Sequence, residues 1–431
     1  MLHQIAEYRR VVLVALLVVG AGWLWCSEDG GSRRRVLLIG IDGATLRVTR
    51  PMMEEGGLPN LSDIARDGVA GPLRSFLPLL SPQIWNSIAT GKTPAKHGIV
   101  QFVRKDDDGA LRLFRSDDRK VHALWNIVSD AGRIADVVNW WNTYPPERIR
   151  GVMVSDHLFV TEIEGRRRIG GAVSAPTGPV VFPESWLPKL SALAEEGDIP
   201  VPFENPFFGN EQLPAWVLGN HLTRWFLQDG AVVRFALEVE ASNHPDLLMV
   251  LLTGIDRVSH ALWGNLEPAD LYPEMLRPSP SERAAGVAAL RRYYEYTDAL
   301  IGALLERYGP DDLVMVVSDH GFEAGIQLDN LTGVHVSEKA LDGVIFARGS
   351  GIPRGGSSGD ASVYDIAPTI LAWMGLPVGM DMDGKVAAFI GMSTVERVAT
   401  HDTGPIERIS TEPSGVNDAL IEQLRALGYV E

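Results

Sequence analysis

Three stretches of this chain set a carboxylate beside an imidazole or directly after an apolar run. Asp319-His320-Gly321 follows Leu313-Val314-Met315-Val316-Val317 and the step Ser318. Asp256-Arg257-Val258-Ser259-His260 holds Asp and His four residues apart, so on a helical turn both face the same way. Asp42-Gly43 follows Val36 to Ile41, and Thr332-Gly333-Val334-His335 adds a further His. Together they supply three Asp and three His, the count that two hard-to-borderline divalent metal ions with open positions need. Taken singly, each stretch also suits plainer work: an Asp-Gly turn, a capping Asp, a His that packs or faces water. Ser81, ahead of Pro82, opens a helix, and unpaired backbone N–H groups at such a place favour an anion. An ordinary N-cap serine is the alternative. No Gly-x-Ser-x-Gly turn surrounds it, so a reactive hydroxyl here needs another activator, of which metal coordination is one.

The elements that must position these residues are legible from apolar runs. Val36 to Ile41, Leu247 to Leu252 and Leu313 to Val317 read as buried parallel strands, and Ile134 to Val138 and Gly343 to Ala347 as shorter ones. Ligands in an open α/β sheet collect beyond the carboxyl ends of its strands, which is where Asp42, Asp256 and Asp319 fall. Helices are expected after Leu58-Pro59-Asn60, from Ser81 to Thr90, Val121 to Val128, Ser281 to Arg307 and Tyr364 to Met374. Alternating strands and helices predict an α/β fold with a mostly parallel central sheet and helices on both faces. From about 151 to 240 the pattern loosens into a loop-rich insertion, marked by Gly170-Gly171 and a series of prolines. It reads as a lid or substrate wall, or as a structural excursion.

The 431 residues, 45% apolar and 22% charged, suffice for a large folded core. A net charge of -16 argues against nucleic acid as a polymer partner. Cys26 is the only cysteine, so intrachain disulfides and cysteine metal clusters are excluded, and any zinc must be held by His and Asp. Arg9-Arg10 precede an uncharged apolar run from Val11 to Cys26. Its sixteen residues are short for a span of ~20, and suit a signal peptide or a signal anchor. Trp23 and Trp25, near the end of the run, favour the anchor, with the catalytic domain outside the cytoplasm, periplasmic or at the cell surface.

The segments Ile39-Gly40-Ile41-Asp42-Gly43, Ser81-Pro82 through His97-Gly98-Ile99, Asp256 with His260, Ser318-Asp319-His320-Gly321 and Gly333-Val334-His335 resemble, in kind and order, the alkaline phosphatase superfamily. The branch they are most similar to is the type I phosphodiesterase and nucleotide pyrophosphatase group, over about Val36 to Gly384. The resemblance implies an alkaline phosphatase-like fold with two zinc ions. One would be held by Asp256, His260 and His335, the other by Asp42, Asp319 and His320 with Ser81. It further implies Ser81 as a nucleophile that forms a covalent phospho-enzyme. Where the group carries an Asn after the His-Gly-Ile segment, this chain has Phe102 next to Gln101, so Gln101 is a candidate substrate-binding substitute. Sulfatase relatives need a Pro two and an Arg four residues past the nucleophile. Here Pro82 follows directly and Trp85 stands at the fourth place, which disfavours sulfate esters.

The expected organisation is an N-terminal anchor or signal over 1-26, a linker over 27-35, a catalytic domain over 36-392 and a tail over 393-431. The expected activity is metal-dependent hydrolysis of phosphodiester or pyrophosphate bonds in a phosphate-ester substrate, with a membrane as partner of the N-terminal segment. Transfer of a phosphoryl group or phospho-headgroup to an alcohol at the same site, or a silent binding protein on this fold, are the alternatives.

Overall fold

Three runs of the chain are apolar at every position and buried at every position: Val36–Ile41, Leu247–Leu252 and Leu313–Val317. Only a strand covered on both faces reads this way. The computed structural model describes residues 34–409 apart from 106–108, 110, 159–177, 197–198, 208–209, 211, 214–220, 328–330 and 393.

Among the described residues nine strands form the main sheet. They are Val36–Ile41 (β1), Val69–Arg74 (β2), Ala135–Val138 (β3), Met153–Val154 (β4), Val181–Phe182 (β5), Leu247–Leu252 (β6), Leu313–Val317 (β7), Asp342–Arg348 (β8) and Gly356–Ser357 (β9). Their spatial order is β9-β2-β8-β7-β1-β6-β3-β4-β5. β1 lies between β6 and β7, parallel to both, with Val36 opposite Leu247 and Leu313. β3 continues parallel to β6, whereas β8 runs antiparallel to β7 and β2, and β5 to β4.

Successive side chains of a strand point to opposite faces. Leu37, Ile39 and Ile41 therefore join one core, with the helices Leu46–Glu54, Pro59–Asp67, His221–Asn243, Gly254–Leu262 and Pro280–Leu305. Val36 and Leu38 join the other, with Ser81–Thr90, Leu124–Asp130 and Ile366–Trp373. We label Ser81–Thr90 α1, His221–Asn243 α2, Gly254–Leu262 α3 and Pro280–Leu305 α4. The fold is the expected mostly parallel α/β sheet with helices on both sides.

The insertion is more regular than its sequence suggests. β4 and β5 extend the sheet at that edge, and α2 is a helix of 23 residues. Gly230 stands in its interior, where glycine weakens a helix. A Cβ at Gly230 would come within 2.7 Å of the Tyr296 hydroxyl and 2.4 Å of Ile199, so close packing explains the glycine. α4 starts one residue earlier than expected. Ser279 Oγ accepts from Glu282 N while Glu282 accepts from Ser279 N, a reciprocal cap that holds Pro280 at the first position.

The membrane-anchored, extracytoplasmic reading is corrected. Among the described residues no helix is long and apolar enough to cross a membrane. The stretch from Met1 to Cys26 lies outside them, and its apolar run is shorter than the ~20 residues a spanning helix needs. The amphipathic turn at Leu420, Leu424 and Leu427 also lies outside the described residues.

His97, part of the His-Gly-Ile segment, has a packing role. Its Nδ1 accepts from Ile99 N at 3.2 Å, so Nε2 carries the proton and donates to Ser87 Oγ at 3.1 Å. Burial, aided by Arg119, pushes it down from 6.5 to about 3. The unfolded chain thus takes up a proton below 6.5 that the folded chain refuses until about 3, and stability falls as pH drops through that window. In metal-free protein, His97→Asn is expected to remove this share of the acid sensitivity from a series of urea midpoints against pH. An unchanged slope would show that His97 is not its source.

Candidate active site

The order β7-β1-β6 brings three strand ends together, and the charged residues sit just past them. Asp42 leaves β1, Asp319 and His320 follow β7, and β6 runs through Thr253 into α3 with Asp256 and His260. Gly43 has φ 74°, and a Cβ there would lie 2.7 Å from the Phe322 ring and 3.0 Å from Asp256 Cα. The first and third ligand-bearing segments approach this closely because that residue has no side chain. α1 brings Ser81 from the opposite helical layer, and the hairpin of Glu323–Gln327 and Leu331–Val334 delivers His335.

All seven residues are buried. Donor atoms of Asp42, Asp319 and His320 lie within 4.8 Å of one another, and so do those of Asp256, His320 and His335. His320 belongs to both groups. Its Nε2 is 3.4 Å from Asp42 Oδ1 and 3.4 Å from Asp319 Oδ2. His260 joins the second group at its edge, with Nε2 3.4 Å from Asp256 Oδ1 and 3.3 Å from His335 Nε2. Ser81 Oγ lies 3.4 Å from Asp42 Oδ1.

Each of the three imidazoles turns Nδ1 to a backbone carbonyl: His260 to Gly333 at 2.9 Å, His320 to Gly321 at 3.0 Å and His335 to Leu79 at 3.0 Å. A carbonyl only accepts, so Nδ1 holds the hydrogen and the Nε2 lone pair faces the cluster. Asp256 Oδ1, Asp319 Oδ2 and His320 Nε2 are buried without a hydrogen-bond partner. Buried acceptors left unpaired are costly, and these three lie together in the cluster. Burial and then Asp256 push Asp42 up. Burial, then Asp42 and Asp256, push Asp319 well up. Burial, with His320 and His260 beside it, holds His335 well below the usual imidazole range. Crowded carboxylates and imidazoles form a donor set that fits divalent cations with nitrogen and oxygen preference.

Several neighbours carried no signal in their own motifs. Trp85 Nε1 and Trp141 Nε1 both donate to Asp42 Oδ2, at 3.2 and 3.4 Å. Gly43 N donates to Asp319 Oδ1 at 3.2 Å, and Arg257 Nη1 lies 3.3 Å from Asp256 Oδ2. The Phe322 ring stands 5.1, 5.3 and 5.9 Å from those of His260, His335 and His320. Trp141 was findable: it follows β3, the neighbour of β6, by the same strand-end logic that singles out Asp42. Gln101 is exposed, next to the buried Phe102, whose ring meets Trp141 edge-on at 5.7 Å.

The family that the chain's residues match makes it a phosphoric ester hydrolase of the alkaline phosphatase superfamily. Residues 36–364 match the type I phosphodiesterase / nucleotide pyrophosphatase family, and the chain belongs to it. No curated protein sequence matches the chain. Among solved structures it is similar to BT1596, a 2-O GAG sulfatase, at 13% identity and TM-score 0.54, over 86% of this chain and 76% of that one. A putative sulfatase from Bacteroides thetaiotaomicron VPI-5482 aligns at 13% identity and TM-score 0.52, over 85% and 76%. Both likenesses are of fold. Human ectonucleotide pyrophosphatase / phosphodiesterase 5 aligns at 11% identity and TM-score 0.47, over 82% and 97%.

Proposed function

We propose that the chain hydrolyses phosphodiester or pyrophosphate bonds at a dinuclear zinc centre, through a phosphoserine at Ser81. The observation that carries this reading is the pair of donor groups sharing His320, with Ser81 Oγ beside Asp42. Asp42, Asp319, His320 and Ser81 would hold one ion, and Asp256, His260 and His335 the other. Bound there, the ions supply Lewis acidity that lowers the pKa of the attacking hydroxyl and neutralises charge on the phosphoryl oxygens. The chain contributes the rest. Ser81 Oγ gives up its proton to solvent water and forms a bond to phosphorus, while the ester oxygen leaves with its bonding pair and takes up a proton from solvent. Water then attacks phosphorus from the side the leaving group vacated and loses a proton to solvent, while Ser81 Oγ departs with its bonding pair and regains a proton. Trp85 and Trp141 hold the second oxygen of Asp42, which keeps its first oxygen turned to Ser81.

The test is a turnover screen of the full chain with bis(4-nitrophenyl) phosphate, 4-nitrophenyl phosphate, a nucleoside triphosphate and 4-nitrophenyl sulfate. Diester or pyrophosphate turnover should dominate, vanish with a chelator and return with zinc. Protein carrying two equivalents of zinc that turns over none of the phosphates, or prefers the sulfate, would overturn the proposal.

A further inference from the structure

We infer that Asp229 is a positioning residue for the metal centre, whose carboxylate caps the helix bearing Asp256 and His260 and so sets where those ligands stand. This rests on the ligand reading above.

α3 begins after Thr253, whose side chain makes no capping bond. The first N–H groups of a helix have no partner within it. Here the partner comes from α2. Asp229 Oδ1 accepts from Thr253 N at 3.2 Å, and Oδ2 accepts from Gly254 N at 3.1 Å. Tyr293, on α4, donates its hydroxyl to Oδ2 at 2.9 Å. Asp229 is fully buried, so water cannot replace these bonds. A carboxylate at a helix N-terminus is also favoured by the dipole.

Gly254 is an independent sign of the same arrangement. A Cβ on it would lie 1.8 Å from the Tyr293 hydroxyl and 2.4 Å from Asp229 Oδ2. Any side chain at that position would push the cap away. Asp256 lies two residues further, in the same turn, and His260 one turn beyond. A shift of the helix start therefore moves both donor atoms, while Asp42, Asp319 and His320 hang from other strands. Among the described residues Asp229 hydrogen-bonds none of the proposed ligands, and it acts through the backbone of Thr253 and Gly254.

A merely structural carboxylate would change stability and leave the affinity of the folded protein for metal untouched. The experiment is titration of metal-free full chain with zinc alone, read by calorimetry, for the parent, Asp229→Ala, Asp229→Asn and Tyr293→Phe. In Asp229→Ala one of two zinc equivalents should bind about ten-fold more weakly or worse, as when an outer partner of a ligand is lost. The other should change little. Asp229→Asn, whose amide oxygen still accepts, should recover part of the loss, and Tyr293→Phe should weaken the same equivalent to a smaller degree. Parent-like affinity for both equivalents in folded Asp229→Ala overturns the inference. Should that variant fail to fold, parent-like binding in both Asp229→Asn and Tyr293→Phe overturns it equally. A parent protein that takes up fewer than two equivalents instead overturns the reading of the centre itself.

Discussion

Ser81→Ala should lower kcat/KM by at least about a thousand-fold, the scale seen when a nucleophile is deleted, and should leave most of the zinc bound. The expectation follows from where the hydroxyl is used. Leu80, not Ser81, is the N-cap residue of α1, and Ser81 Oγ lies 3.4 Å from Asp42 Oδ1 instead of bonding a backbone N–H. The variant therefore loses no cap, and the ~1 kcal/mol that a lost cap serine costs should not appear in its unfolding free energy. Zinc stays because Asp42, Asp319 and His320 remain as donors. Direct attack by a metal-held hydroxide, with Ser81 as a bystander, would instead leave the rate within a few-fold of the parent. Stereochemistry gives a second readout. Two in-line displacements through phosphoserine retain configuration at phosphorus, so inversion with a chiral phosphorothioate diester would sink the mechanism whatever the alanine variant does.

Asp319→Asn should have effects of opposite sign with and without metal. In metal-free protein Asp42, Asp256 and Asp319 crowd one buried site, and their charges push Asp42 and Asp319 up. Removing one of these carboxylates relieves that repulsion, so metal-free Asp319→Asn should melt at or above the parent. With zinc the order reverses. Each ion bound at 100 times its Kd stabilises the parent by about 2.7 kcal/mol, and a variant that has lost a donor forgoes much of this. Activity should fall together with metal content, measured by elemental analysis of the same sample, and in Asp256→Asn activity and metal content should likewise fall together, although its metal-free form should gain no stability because His260, Arg257 and His335 favour that carboxylate. A variant that loses activity while keeping two equivalents of zinc would count against the proposed ligands.

The sequence carried the central strands well and the edges poorly. β1, β6 and β7 are apolar at each position because both faces are covered, and that pattern is local. β4 and β5, two residues each, are too short to carry a period. α2 was read as part of a loop-rich insertion, and the reason for the Gly230 inside it lies with Ile199 and Tyr296, far along the chain. The sixteen-residue apolar run near the N-terminus illustrates the opposite hazard. Composition alone suggested an anchor that no described helix supplies.

What the sequence determined by itself was which residues stand just past buried strands: Asp42, Asp319 and the Asp256–His260 pair one helical turn apart. Those relations span a few residues, and periodicity reports them directly. Only the tertiary structure decided that β1 lies between β6 and β7, which gathers the three carboxylates. It alone decided that His320 is common to both donor groups. The protonation pattern is decided there too. His260 bonds a carbonyl 73 residues away and His335 one 256 residues away, so the lone pairs that face the cluster depend on contacts no local pattern encodes. The same holds for Trp85 and Trp141 on Asp42, and for Asp229 on the start of α3. A side chain's chemistry is written in its residue type, but its hydrogen-bond partners, and hence its charge and direction, are set by whatever the fold packs against it.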